Sequence, residues 1–174
     1  MIGRRARIPA WRRRLPSARR AGYGTLMDIL QRFMAYANDF ERTLRDDDWS
    51  RLAQYFAEDA VYEVKADRFG CRLVGRRAIF AGIKKSLDGF DRKFTGRGIE
   101  LTSGPEVTGD EIRMSWKVTY TKDGTPPFVL RGSSIARYAG GEIAYLSDAY
   151  DPSVGQELGA WTERTGVAVD PAYT

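Results

Sequence analysis

The spacing of apolar side chains changes in the first half of the chain from a helical period to the alternation of a strand. Apolar residues recur every three to four positions over residues 26–44, which predicts an amphipathic helix. Asp48 is a candidate N-cap for a second helix that begins at Trp49. Over residues 60–66 the period becomes two, with many β-branched and aromatic side chains, which predicts a strand directly after that helix.

The rest of the chain predicts one more helix and four more strands. A loop marked by Gly70 and Gly75 leads to a helix over residues 77–87. The strands are predicted over residues 98–103, 111–121, 128–138 and 142–150. Because helices come first and hairpin-connected strands last, the expected architecture is α+β, with a curved antiparallel sheet packed on three N-terminal helices.

Composition limits the chemistry that the protein can use. Cys71 is its one cysteine, so no internal disulfide can form, and a reducing compartment, the cytoplasm, is predicted. The absence of histidine excludes Ser–His and Cys–His nucleophile systems and removes the commonest metal ligand. The sequence has no metal-ligand spacing and no glycine-rich nucleotide loop, so we predict neither a metal nor a cofactor. Acid–base chemistry would depend on Asp, Glu, Tyr or Lys.

Charge divides the chain into a basic leader and a mildly acidic remainder. Eight of its 28 basic residues are arginines within residues 1–22, where no acidic residue occurs. We predict a disordered leader over residues 1–25, with Met27 as an alternative start of the functional chain. A targeting segment, which Pro9 and Pro16 would interrupt, and a basic arm for nucleic acid or anionic lipid are the other interpretations. For the acidic remainder we predict no nucleic-acid partner and no membrane partner.

The folded domain is predicted over residues 26–151. With 174 residues the chain can bury a core without disulfides or metals, and no apolar run approaches the roughly 20 residues that span a bilayer. Residues 152–174 form a weakly patterned tail. In this tail we expect Leu158 and Trp161 to dock on the domain and the last residues to fray.

Three segments carry a family resemblance: YFAEDAVYEV, GRRAIFAGI and GEIAYLSDAYD. In this order they resemble the SnoaL-like branch of the nuclear-transport-factor-two-like superfamily, over residues 27–151. The resemblance implies a conical half-barrel whose curved sheet and helices enclose an apolar pocket, and homodimers that pair through the outer face of the sheet. Known members include polyketide cyclases, ketosteroid isomerases, limonene-epoxide hydrolases and dehydratases. Because so many activities share the fold, the fold by itself indicates no reaction.

The segment YFAEDAVYEV is most similar to limonene-epoxide hydrolases. In that subfamily a pocket tyrosine lies at the position of Tyr62, and one aspartate of a water-activating Asp–Arg–Asp set matches Asp148. The other two members of the set fall in residues 115–120, which contain no Arg–Asp pair, and Val64 replaces a neighbouring asparagine. Epoxide hydrolysis by that mechanism is therefore not expected, and the missing histidines argue against the chemistry of the dehydratases.

Asp148 and Tyr62 are the two candidate catalytic residues. The resemblance gives the position of Asp148 to an acid–base carboxylate, and burial at a pocket floor would raise its pKa toward the working pH. Tyr62 could donate a hydrogen bond to a carbonyl or enolate oxygen of a substrate. The structural alternatives are an exposed aspartate near a strand end and a packed tyrosine with its hydroxyl at the rim.

Six apolar or aromatic side chains are the predicted substrate contacts: Tyr36, Phe40, Val64, Trp116, Val118 and Leu146. They favour a small hydrophobic metabolite that bears a carbonyl group. The leading hypothesis is a cofactor-independent isomerase, cyclase or hydrolase in which Asp148 performs general acid–base chemistry. The alternative is a non-catalytic protein of the same fold, which binds a small molecule or acts as a dimeric interaction module.

Overall fold

The structure, a computed structural model, describes the backbone of residues 23–174 and the side chains of residues 28–174. Residues 1–22 of the predicted disordered leader lie outside this description, whereas residues 23–25 and the alternative start Met27 lie in the first helix. Within residues 23–174, no helix combines the length and the apolar character that are needed to cross a lipid bilayer.

Three α-helices and six strands make up the described part of the chain. The helices are α1 (Tyr23–Asp46), α2 (Arg76–Gly89) and α3 (Val154–Thr165). The strands are β1 (Phe56–Lys65), β2 (Cys71–Val74), β3 (Gly96–Thr108), β4 (Glu111–Thr121), β5 (Phe128–Ala139) and β6 (Glu142–Tyr150). All six strands belong to one curved, unclosed sheet with the order β2-β1-β6-β5-β4-β3.

The architecture confirms the predicted α+β fold, in which helices pack on a curved sheet. One pair of strands differs from the prediction: β1 and β6 are parallel, whereas all other neighbouring strands are antiparallel. The prediction assumed hairpin connections, which force neighbouring strands to be antiparallel. The first and last strands of this sheet are joined through all the intervening elements, so their pairing is not bound by that rule.

The segment between α1 and β1 also differs from the prediction. Trp49–Tyr55 forms a 3-10 helix, and its N-cap Asp48 accepts a hydrogen bond from the backbone N–H of Ser50. β1 begins at Phe56, earlier than the predicted strand, because Phe56 is buried and already pairs with Ile143 of β6. Extended backbone must therefore follow the short 3-10 helix at once, and a longer helix has no room.

The later strands follow the predicted ranges. β4 and β6 have the predicted bounds, and β5 extends one residue further than predicted. Every second residue of β4 points to the same face of the sheet, and all five of these side chains are buried: Ile112, Met114, Trp116, Val118 and Tyr120. The pattern does not predict β2, because four residues are too few to establish an alternation. β3 is longer than predicted, since it continues through Gly104 and Pro105, which mark the end of a strand in the sequence pattern but lie here at an irregularity in its pairing with β4.

The C-terminal tail packs against the domain. Trp161 of α3 is buried, and its Nε1 donates to the carbonyl oxygen of Pro126, which confirms the predicted docking. Beyond α3 the chain returns to α2, where the N–H of Asp170 donates to the carbonyl oxygen of Gly89 at 2.9 Å. Tyr173 is 8% exposed. The expectation that the last residues fray is therefore wrong, because Tyr173 fills a gap in the core.

Candidate functional site

A cavity of about 340 Å³ lies between the concave face of the sheet and the helices α1 and α2. Its lining includes seven of the eight residues predicted for the site: Tyr36, Phe40, Tyr62, Trp116, Val118, Leu146 and Asp148. Val64 is the exception, since it is buried but does not line the cavity. The prediction of Val64 as a substrate contact is therefore wrong, because β1 carries this residue past the cavity wall into the packed core.

Asp148 accepts hydrogen bonds from both neighbouring strands. Tyr62 Oη on β1 donates to Asp148 Oδ2 at 2.6 Å. Ser134 Oγ on β5 donates to Asp148 Oδ1 at 2.5 Å, and it accepts from Trp116 Nε1 of β4 at 2.8 Å. Because β6 runs between β1 and β5, its one carboxylate can receive a donor from each side. We call these four residues the inner cluster.

Gly132 makes the room that Trp116 needs to reach the inner cluster. The two residues lie opposite each other in the register of β4 and β5. A Cβ atom on Gly132 would lie 2.7 Å from Cη2 of the indole and 2.6 Å from the carbonyl oxygen of Ala149, so a larger residue would displace the ring. The indole N–H of Trp116 donates a hydrogen bond to Ser134 Oγ. Because this oxygen already accepts from the indole, the hydroxyl proton of Ser134 is directed toward Asp148.

Burial raises the pKa of Asp148 above its usual value of 3.8, because the cavity wall solvates its charge poorly. The hydrogen bonds from Ser134 and Tyr62 oppose this shift without cancelling it. Within residues 28–174, no hydrogen bond or ion pair joins the carboxylate to a Lys or Arg. A carboxylate held by neutral donors, with no cation beside it, is suited to accept a proton as a general base.

The hydroxyl of Tyr62 is held as a donor in the same arrangement. Burial raises its pKa well above 10, and the charge of Asp148 is the second cause. Tyr173 packs its ring edge-on against the ring of Tyr62, with centroids 5.8 Å apart. Tyr62 therefore stays protonated and donates a hydrogen bond to Asp148, while Tyr173 of the C-terminal tail covers the other side of its ring.

Tyr36 faces the same cavity from α1. Its ring packs edge-on against Phe56, with centroids 5.4 Å apart. Burial raises the pKa of its hydroxyl, and the charge of Asp148 is the next cause. Within the part of the chain that the structure describes, this hydroxyl has no hydrogen-bond partner, so it is available to a ligand.

A second set of polar side chains lines the cavity, and the sequence pattern does not predict it. Its members come from α1, the segment after α2, β3 and β4. Arg97 Nη1 donates to Glu41 Oε1 at 2.6 Å, and Arg97 Nε donates to Asp91 Oδ1 at 3.1 Å. Tyr120 Oη donates to the same oxygen of Asp91 at 2.8 Å. Burial raises the pKa of Asp91, and the charge of Arg97 is the strongest opposing cause. We call these four residues the outer cluster.

Ser134 and Tyr173, which also line the cavity, are not among the predicted site residues either. Ser134 belongs to β5, which the alternation predicts, but nothing in the pattern distinguishes it from the adjacent Ser133. Tyr173 lies in the weakly patterned tail, where an aromatic residue near the end of the chain is the one sign that the segment could pack.

The chain belongs to the SnoaL-like domain family, whose model matches residues 37–146, more than half of the sequence. This match and the fold confirm the NTF2-like (nuclear-transport-factor-two-like) superfamily that the sequence motifs indicate. No curated protein matches the chain.

Solved structures with the same fold come from several bacteria. An NTF2-like protein of unknown function from Burkholderia pseudomallei K96243 is 13% identical with a TM-score of 0.57, over 78% of this chain and 98% of that chain. An NTF2-like protein from Anabaena variabilis ATCC 29413 is 16% identical with a TM-score of 0.53, over 77% of this chain and 96% of that chain. At these identities the similarity establishes the fold and no particular activity.

Proposed function

We propose that the protein is a cofactor-independent isomerase or cyclase that moves a proton next to the carbonyl group of a small, mainly apolar metabolite. The observation that carries this proposal is the inner cluster. Asp148 lies at the wall of a cavity with two neutral hydrogen-bond donors and no cation among its described contacts. A carboxylate in this environment has the raised pKa that proton transfer from carbon requires at moderate pH.

In the proposed step, an oxygen of Asp148 takes a proton from the carbon next to the carbonyl. The C–H electron pair becomes the new C=C bond of an enolate, and the carbonyl electrons move onto oxygen. In an isomerisation the enolate is conjugated with a C=C bond, and Asp148 returns the proton to the far carbon of that bond, so that the double bond shifts. In a cyclisation the enolate carbon attacks a second carbonyl carbon of the same molecule, the electrons of that C=O bond move onto its oxygen, and this oxygen takes the proton from Asp148. Both routes are balanced without a co-reactant.

We assign different roles to the two tyrosines. The 2.6 Å hydrogen bond to Asp148 supports a positioning role for Tyr62, which holds the carboxylate in one orientation. The hypothesis that Tyr62 donates to the substrate oxygen is therefore revised. Tyr36 has an unengaged hydroxyl on the facing helix, so we propose Tyr36 as the donor that stabilises the enolate oxygen.

The substrate class follows from the lining of the cavity. Most of its wall is apolar and includes Phe33, Ile83, Leu87, Met114 and Leu130. Its volume of about 340 Å³ lies within the range of small-molecule sites. These properties support a ring-bearing apolar ligand with few polar groups.

The test uses a simple carbon acid, so the natural substrate need not be known. We would incubate the protein with 2-tetralone in D₂O and measure deuterium exchange at the carbon next to the carbonyl by NMR. We expect exchange above the buffer rate, with a loss of about 10²- to 10⁴-fold in Asp148→Asn. Asp59→Asn is the matched control, because Asp59 is exposed on β1 and does not line the cavity.

Exchange at the buffer rate in the wild-type protein, with 2-tetralone bound, would overturn the catalytic proposal and favour the non-catalytic binder. The predicted homodimer through the outer face of the sheet and the predicted cytoplasmic location stay proposals of the same kind. Light scattering tests the first of them, with twice the chain mass of 19.6 kDa expected in solution.

A further inference from the structure

The outer cluster lies at a distance from the inner cluster along the wall of the same cavity. Tyr120 is four residues beyond Trp116 on β4, which corresponds to about 13 Å of strand. Ile99 and Leu101, which follow Arg97 on β3, are both 50% exposed and line the cavity. Two polar groups therefore lie in the wall of one cavity, separated along β4.

We propose that the outer cluster is a binding subsite for a hydroxyl group of the ligand. Given the proposed function, on which this inference rests, the substrate is then an elongated neutral molecule. It carries its reacting carbonyl group at the inner cluster and a hydroxyl group on the order of 10 Å away, at the outer cluster. The inference adds a substrate class and a specificity site to the proposed reaction.

The charges of the outer cluster determine which ligand group it accepts. Two carboxylates, Glu41 and Asp91, flank the single guanidinium of Arg97. Arg97 is thus already neutralised, and a ligand carboxylate would meet net repulsion from the two acids. A ligand ammonium would be attracted by the second carboxylate, but it would have to lose its hydration in a mainly apolar cavity, and the charge of Glu41, whose side chain is 34% exposed, is too screened to repay that cost.

A hydroxyl group matches the atoms that remain available. Among the described residues, Glu41 Oε2 has no hydrogen-bond donor, and the glutamate lines the cavity. A ligand hydroxyl can donate to this oxygen without carrying any charge into the cavity. A hydrogen bond to a charged group is strong enough to give a preference of about tenfold or more between two otherwise identical ligands.

The outer cluster is also held in place before any ligand arrives. Glu41 is on α1, Asp91 follows α2, Arg97 is on β3 and Tyr120 is on β4. The side chains of Asp91 and Arg97 are 11% and 15% exposed, so packing restricts their rotamers. A fixed acceptor of this kind selects by position as well as by chemistry.

Three rigid probes separate the possible ligand groups: 4-phenylphenol, 4,4′-dihydroxybiphenyl and 4′-hydroxybiphenyl-4-carboxylate. Each has one hydroxyl for one end of the cavity and hydrogen, hydroxyl or carboxylate for the other. Dissociation constants would be measured by calorimetry. For the wild-type protein we expect the diol to bind about tenfold tighter than 4-phenylphenol, and the carboxylate about tenfold weaker than 4-phenylphenol.

Glu41→Gln removes one negative charge and keeps the shape of the side chain. We expect it to reduce the preference for the diol and to improve binding of the carboxylate about tenfold, because Arg97 is then less neutralised. The matched control is Glu100→Gln, since Glu100 lies on β3 like Arg97, pairs with Lys117 of the neighbouring strand β4 and is absent from the cavity lining. This control should leave all three affinity ratios unchanged.

The inference is overturned if the wild-type protein binds the carboxylate as tightly as the diol, or if Glu41→Gln leaves the three ratios unchanged. Failure of the diol to bind at its solubility limit also overturns it. Deuterium exchange reports on the proposed function separately. Exchange without a diol preference would remove only the hydroxyl subsite, whereas a diol preference without exchange would remove only the catalytic proposal.

Discussion

The inner cluster and the outer cluster each hold an aspartate whose pKa is raised by burial, but the groups around the two carboxylates differ. Asp148 receives hydrogen bonds from the neutral hydroxyls of Tyr62 and Ser134. Asp91 receives one from Tyr120 and forms an ion pair with Arg97. Burial is the largest cause of the shift at both positions, while a cation opposes it only at Asp91.

This difference separates a group suited to react from a group suited to bind. A buried carboxylate without a cation is least stable when it is charged, so taking up a proton relieves it. A carboxylate beside a guanidinium gains less from a proton, because protonation weakens the ion pair. In the proposed function, therefore, Asp148 moves protons, and Asp91 keeps Arg97 and the proposed hydroxyl subsite in position.

The largest expected effect is on catalysis of deuterium exchange. Asp148→Asn should lower the rate at saturating 2-tetralone about 10²- to 10⁴-fold, because the proton acceptor is gone. Asp91→Asn should have little effect on either the saturated rate or the concentration needed for saturation, because 2-tetralone has no hydroxyl group for the outer cluster to bind. Equal losses of the saturated rate in the two variants would contradict the different roles assigned to the inner and outer clusters. Steady-state exchange measured over a range of probe concentrations gives both quantities.

The next effect is on stability at the outer end. Arg97→Met should lower the free energy of unfolding by about 3 kcal/mol at pH 7, because Asp91 and Glu41 lose their cation. Arg42→Met is the control, since Arg42 pairs with Asp39 on the surface and is 61% exposed, so a loss of at most about 1 kcal/mol is expected. Urea denaturation measures both variants.

The pH dependence of Arg97→Met sharpens this prediction. Without the cation, the folded-state pKa of Asp91 rises further above the unfolded value, so the folded protein holds the proton more tightly. The destabilisation should therefore grow as pH rises through that folded-state pKa and shrink toward pH 4. A loss that does not change between pH 4 and pH 7 would mean that packing, and not charge, is responsible.

A smaller effect is expected where the sheet supports the inner cluster. Gly132→Ala should push the Trp116 ring away and weaken its hydrogen bond to Ser134, because the added Cβ would lie 2.7 Å from the indole. We expect a loss of about 2 kcal/mol in stability and slower exchange. In Gly98→Ala the new Cβ meets nothing within 4 Å, so it should change neither. A crystal structure of Gly132→Ala with Trp116 unmoved would contradict the explanation.

The smallest effect is a gain in stability at the inner end. Because the folded-state pKa of Asp148 is raised, its ionised form destabilises the fold as pH rises through that pKa. Asp148→Asn, which cannot ionise, should therefore be more stable than the wild-type protein at pH 7, by about 1 kcal/mol. The gain should vanish below pH 3.8, where Asp148 is protonated in both states. Thermal melts of both proteins over a range of pH measure this gain. If Asp148 were an ordinary surface carboxylate, the difference in stability between the two proteins would not change with pH.

The sequence predicts the inner cluster in part, and the reason lies in the register of one hairpin. Strand alternation and the family resemblance identify Asp148 and Tyr62. Continued from the turn, where Ala139 pairs with Glu142, a regular hairpin would set Ser133 opposite Asp148. A register shift between Arg137 and Tyr138 brings Ser134 there instead. The extra residue lies in β6, where the buried Ile143 and Leu146 are three positions apart instead of two, and this break does not by itself show which residue of β5 comes opposite Asp148.

The outer cluster and the tail could not be predicted for a different reason. Asp91 and Arg97 lie just outside the periodic segments, and they meet Glu41 only because α1 crosses the edge of the sheet at β3. Tyr173 reaches the cavity because the last residues follow α2. Such contacts depend on tertiary placement, whereas the predicted features depend on local period.

The most direct test of the central claim is the titration of Asp148 itself. Carbon-13 NMR of protein labelled at the aspartate carboxyl carbon, with the resonance assigned by its loss in Asp148→Asn, gives the pKa of this group. We predict a midpoint above 3.8, and a rise of the 2-tetralone exchange rate with pH over the same range. A midpoint at or below 3.8 would contradict the account, because Asp148 would then be a well-stabilised anion with no tendency to take up a proton.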